Sequence, residues 1–162
     1  MIAEGIVPGS DTRLLSIDKC RPELRDLYRH WQKLRGTRTM PMRRDFEPAA
    51  VRHLLPHLML IDVFPEMPRE RRFRVRLHGT AQVEYQKTDW TGFYLHQKTD
   101  QVSADRLCAV GDHIVATREP WISTGALYWL PAKPYSTFET ILLPLSDDDA
   151  VVNMILGLTV FF

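Results

Sequence analysis

The chain is poor in the residues that mark stapled, metal-bound or membrane-embedded proteins. It has 162 residues and two cysteines, Cys20 and Cys108. These lie far apart and match no metal or redox spacing. Two free thiols in a reducing cytoplasm are the simplest reading. No apolar run reaches the ~18 residues of a membrane span. The opening stretch MIAEGIVPGSDTR has no basic segment followed by an apolar one, so no secretory signal is read there. A cytoplasmic location, away from membranes, is the expectation.

Glycine is also scarce, at eight residues, and this bears on phosphate binding. In RLHGTAQVEYQKTDWTG, residues 76–92, a strand-like run stops at Gly79 and a helix-like one begins. A Walker loop needs several glycines followed by Lys and a hydroxyl. A dinucleotide fingerprint needs three spaced glycines in a parallel βαβ unit. The stretch has neither. Basic residues interleaved with aromatics are missing too, as is a helix-turn-helix pattern, so no nucleic-acid partner is expected. No nucleophile-base arrangement has motif support. His53 and His57 are four apart, but Pro56 between them breaks a shared helical face. Asp147, Asp148 and Asp149 sit in a tight turn where neighbouring side chains point apart. No metal site is expected.

What remains is an ordinary globular balance, 44% apolar and 25% charged, at a length that suits one domain. Residues 1–76 carry 16 basic and 10 acidic residues, and residues 77–162 carry 5 and 10. This asymmetry suits head-to-tail contacts or a solvated surface.

Residues 1–20 lack periodicity and are expected to be a flexible N-terminus. In RPELRDLYRHWQKLRG, Leu24, Leu27, Tyr28, Trp31 and Leu34 share a helical stripe. Pro22 suits the first turn and Gly36 the stop. DFEPAAVRHLLP reads as a short helix capped by Asp45 and ended by Pro56. Residues 21–56 thus form an N-terminal helical cap, and 57–162 the core. HLMLIDVF and FRVRLH read as a strand hairpin. In the second strand, Phe73, Val75 and Leu77 are assigned one face and Arg74, Arg76 and His78 the other. Residues 80–118 are helical in character, with Gly111 inside a helix, where it costs ~1 kcal/mol against Ala. Three strand candidates follow, 121–130, 136–145 and 151–162. The last is apolar on both faces and needs cover on both. The N-terminal helix is one cover for the outer face, and a second copy of the chain is another.

This order predicts an α+β fold, an antiparallel sheet with helices across one face. The residues go further. LYRHWQKLRGTRTMPMRRDFEP, VRHLLPHLMLIDVF, RFRVRLHGTAQVEYQKTDWTG and TILLPLSDDDAVVNMILG occur in that order, and the chain resembles a PAS subfamily found mostly in alphaproteobacteria. The resemblance implies a five-stranded antiparallel sheet of order 2-1-5-4-3. It places a ligand pocket between the sheet and the helices of 80–118, and an N-terminal helix used for dimerisation or output. It does not identify a cofactor. Cys108, in RLCAVG, departs from the Asn-Cys-Arg-Phe-type motif of flavin photosensors.

The ligand-binding candidates are Arg76, Thr80, Tyr85, His113 and Tyr128. Arg76 has a planar fork suited to a carboxylate or phosphate, and Thr80 is read as a helix N-cap or a pocket hydroxyl. Tyr85 and Tyr128 offer phenolic hydroxyls, and His113 lies near an apolar helical stripe. The expected function is a non-enzymatic cytoplasmic sensor or interaction module. It would bind an unidentified small molecule or a partner protein, form a homodimer, and signal through a separate protein or through a segment missing after residue 162. The alternatives are a small isomerase- or hydratase-like enzyme using Asp62 and His113, and a pure dimerisation scaffold.

Overall fold

In the computed structural model, residues 12–127, 129 and 136–162 are described. Pro22–Arg35 forms α1. Its first turn accepts Pro22 because the missing N–H would have had no partner there. Gly36 ends it at φ +58°, a backbone state that side chains with a Cβ resist. Leu24, Leu27 and Trp31 are buried, and the Trp31 indole N–H donates to the Pro144 carbonyl at 3.0 Å. The stripe read from the sequence therefore packs on the sheet.

Two details of the cap differ from expectation. Asp45 belongs to a 3-10 turn, Arg43–Asp45, and accepts the Met42 N–H at 2.9 Å. It caps that turn, not the helix beyond it. Pro48–His57 is 3-10 in type and kinked at Val51. Pro56 removes a backbone donor and its ring clashes one turn back, so the segment does not run as a regular α-helix.

The sheet has six strands: β1 Arg13–Leu14, β2 Leu58–Val63, β3 Phe73–His78, β4 Trp121–Ala126, β5 Thr137–Leu145 and β6 Met154–Phe161. Their order is β1-β4-β5-β6-β2-β3, and every pairing is antiparallel. The expected five-strand count is thus corrected. Five strands follow the expected order, and Arg13–Leu14 adds a sixth beside β4. Leu15 extends the pairing by donating to the Ile122 carbonyl at 3.0 Å. Two residues are too few to show a period, and their strand state comes from satisfying an otherwise open edge.

β5 shows how the layers divide. Ile141, Leu143 and Leu145 are fully buried on the outer face, toward α1. Phe138, Thr140 and Leu142 point the other way. That inner face carries α2, Thr80–Gln86, and α3, Gln101–Thr117. Asp100 caps α3 by accepting the Ser103 N–H at 3.0 Å. β6 is thereby covered twice, as its unbroken apolar run requires.

The alternation read for β3 fails in its second half. Leu60 pairs with Leu77, but Ile61 pairs with Val75, so the register slips by one residue at Arg76. Such a bulge reverses the faces beyond it. Leu77 therefore turns outward, 45% exposed, and His78 turns inward, 7% exposed.

Candidate functional site

A cavity of ≈ 100 Å³ lies between the inner sheet face and the two helices. Six aromatic residues line it: Phe73, Trp90, Trp121, Trp129, Phe138 and Phe161. Aliphatic side chains of β2, α3, β5 and β6 fill the spaces between them. The polar lining is Thr12, Gln82, Gln86, Ser123, Thr140 and Thr159. Not one Asp, Glu, Lys or Arg is in the described lining. The volume exceeds what one water needs and falls below the ~300 Å³ of common drug-sized pockets.

Local structure explains the lining. Gln82 and Gln86 are four apart on α2, so both face the sheet. Gln82 Nε2 donates to the His57 carbonyl, which ties the helix to the end of the cap. The Trp129 indole N–H donates to Gln86 Oε1 at 3.1 Å, and Gln86 Nε2 lies 3.2 Å from His78 Nε2. On its other side the His78 ring accepts the Trp90 N–H at Nδ1, at 3.1 Å. Burial holds the His78 pKa below its ordinary 6.5, against a partial opposing pull from Asp89. The bulge in β3 thus puts a neutral imidazole behind the cavity wall.

Two polar groups of the lining residues stand out. The Trp90 indole Nε1–H and the Thr12 hydroxyl are buried and have no hydrogen-bond partner among the described residues. Thr12 lies over Gly125 of β4, where an added Cβ would come within 2.8 Å of the Thr12 Oγ1 and Cα. Trp121 and Ser123, also on β4, satisfy each other, the indole donating to the hydroxyl at 3.0 Å.

Of the ligand-binding candidates read from the sequence, Arg76, Thr80, Tyr85 and His113 are absent from the described lining. Arg76 is on the outer face, with its side chain 55% exposed, and its Nε donates to Asp62 Oδ1 at 2.8 Å. Arg74 Nη2 holds the other carboxylate oxygen at 3.3 Å. Thr80 is exposed, and the N-cap of α2 is Gly79. Tyr85 stacks on Phe161, 4.3 Å between centroids and 3° between planes, so it backs a lining residue. His113 meets Trp121 edge-on at 5.5 Å from the same side. Tyr128 lies outside the described residues. Asp62 and His113, the enzyme candidates, are on opposite faces of the sheet.

Sequence reasoning missed Gln82, Gln86 and His78. The i, i+4 glutamines in TAQVEYQ were a usable signal, because amides on the buried side of a short helix need partners. His78 was hidden by the bulge. Gly111, flagged as unusual inside a helix, faces Phe73. A Cβ there would sit 2.5–3.0 Å from three ring carbons. Cys108 gives no reactive thiolate, since burial pushes its thiol up to about 12. The acidic turn is structural: Asp149 accepts the Thr39 and Met40 N–H groups at 3.0 Å, and Asp148 accepts those of Ala150 and Val151 at 2.9 Å. Among the described residues no cluster suits a metal ion, and no helix is long and apolar enough to cross a membrane.

A family model described as PAS domain matches residues 20–160. No curated protein matches the chain. Among solved structures, the light-state structure of the blue-light photoreceptor Aureochrome1 LOV is similar at a TM-score of 0.43 and 8% identity, covering 70% of this chain and 86% of that one.

Proposed function

The chain belongs to the PAS domain family, and we propose that it is a cytoplasmic sensor that binds a small molecule in the cavity between its helices and sheet. The observation that carries this reading is the cavity itself, with an aromatic wall and a buried indole N–H that has no partner. A buried donor without an acceptor costs about 1–3 kcal/mol, and a bound molecule with an acceptor would remove that cost.

Binding acts by population shift. A ligand that prefers one packing of α2 and α3 favours that packing in proportion to its differential affinity. The path outward is short. Thr12 lines the cavity, Arg13–Leu14 pairs with β4, and a single 3-10 turn at Ile17–Lys19 leads into α1 on the opposite face. A shift at Thr12 therefore reaches α1 through the nine residues 13–21. We assign output to α1, acting in a homodimer and on a separate signalling protein. Light scattering at high concentration tests the dimer, which a strict monomer would contradict.

The enzyme reading has no comparable support, because Asp62 is neutralised by two arginines and lies across the sheet from His113. A pure scaffold has no use for an aromatic-walled cavity between helices and sheet. Native mass spectrometry and an absorption spectrum of freshly purified protein test the sensor reading. A co-purified small molecule supports it. Bare chain, together with no change in melting temperature across a metabolite library, contradicts it.

A further inference from the structure

The chemistry of the cavity wall narrows what it can hold. We infer that the ligand is an uncharged molecule of about one aromatic ring, carrying a hydrogen-bond acceptor that the Trp90 indole N–H engages. This rests on the reading of the cavity as a ligand site.

Charge comes first. The described lining has no cation to meet a carboxylate or phosphate, and no anion to meet an amine. An ion entering an apolar site without a partner loses far more solvation than it recovers. Arg74 and Arg76 are on the outer face and already hold Asp62, and Arg69 and Arg72 hold Asp112. Shape comes next. Six aromatic side chains around ≈ 100 Å³ offer faces and edges to a flat ring. Polarity comes last. Tryptophan is a donor only, and Trp90, 3% exposed, has its Nε1–H unpaired. That donor calls for a carbonyl, ether or ring nitrogen. The unpaired Thr12 hydroxyl either donates or accepts, so it admits a second polar group on the ligand without specifying one.

Three probes of similar size separate these terms. Acetophenone is neutral and has an acceptor. Ethylbenzene is neutral and has none. Benzoate is charged. Each is titrated into the wild-type chain and into Trp90→Phe, with ¹H–¹⁵N spectra following the indole N–H resonances. Acetophenone is expected to bind tightest and to move the Trp90 indole resonance. Ethylbenzene is expected to bind about threefold to tenfold more weakly, the worth of one net hydrogen bond. Benzoate is expected to bind at least about tenfold more weakly than acetophenone. In Trp90→Phe, acetophenone and ethylbenzene should bind alike. Benzoate or ethylbenzene binding as well as acetophenone overturns the inference and leaves the sensor reading standing. So does an acetophenone complex that leaves the Trp90 indole unmoved, a result that needs only the wild type should the variant not fold. Failure of all three probes also overturns it, whereas the sensor reading falls only with the metabolite library.

Discussion

Gly111 of α3 lies against the ring of Phe73 of β3, so close that a Cβ would come within 3.0 Å of three ring carbons. Both residues line the cavity. The helix accepts a glycine here because the alternative displaces an aromatic ring from a buried site.

Gly111→Ala should therefore do two opposing things. It gains about 1 kcal/mol of helix propensity and loses about 1–3 kcal/mol to overpacking. The Phe73 ring can yield into the cavity, so the net loss should be small, at most about 2 kcal/mol by those figures. Ligand binding should suffer more than stability. Urea denaturation and probe titration on the same variant check both parts.

Gly79→Ala is the contrasting case. A Cβ at Gly79 would lie 2.7 Å from the Leu58 carbonyl oxygen and run into the Pro56 carbonyl. Backbone cannot swing aside as a ring can. The variant should lose at least about 2 kcal/mol, toward the upper part of the overpacking range. A urea midpoint within experimental error of wild type would contradict the close approach.

Arg76→Ala separates the outer face from the cavity. The guanidinium is more than half exposed, so its ion pair with Asp62 is worth at most about 1 kcal/mol. Arg74 remains to hold the carboxylate. Stability should fall slightly and acetophenone affinity should stay unchanged. A large loss of affinity would place Arg76 in the binding site after all.

Stability should fall as pH drops through 6.5, the ordinary imidazole value from which burial lowers His78. Above that pH the ring is neutral folded or unfolded and contributes nothing to the slope. Below it the unfolded chain takes a proton that the folded ring resists, so the unfolded state binds more protons and gains. His30, lowered by burial and then by Lys33, acts in the same direction. His78→Gln should thus flatten the slope without abolishing it. Urea midpoints between about pH 7.5 and 5.5 read this out, and an unchanged slope in the variant would count against a buried neutral His78.

Much of the architecture was legible in the sequence. The α1 stripe and the double cover of β6 follow from periodicity and from burial on two faces, and the order of the five longer strands follows from the family resemblance. What escaped has physical causes. Arg13–Leu14 is too short to carry a period and is a strand only because β4 offers an edge. The register slip at Arg76 is invisible to an alternation count, and it exchanged Leu77 for His78 on the inner face, behind the cavity wall. The cavity lies where the resemblance put a pocket, but Arg76, Thr80, Tyr85 and His113 are absent from its described lining. Charged and phenolic side chains drew notice, while the cavity uses two glutamines and an indole, whose role depends on what faces them.

The most direct test of the account is a comparison of melting temperatures for wild type and Gly111→Ala across a library of neutral one-ring compounds. The account predicts that compounds with an acceptor raise the wild-type value and that the variant, with Phe73 pushed into the cavity, responds weakly or not at all. No rise with any compound, or equal rises in both proteins, would contradict a neutral one-ring ligand held between these helices and the sheet.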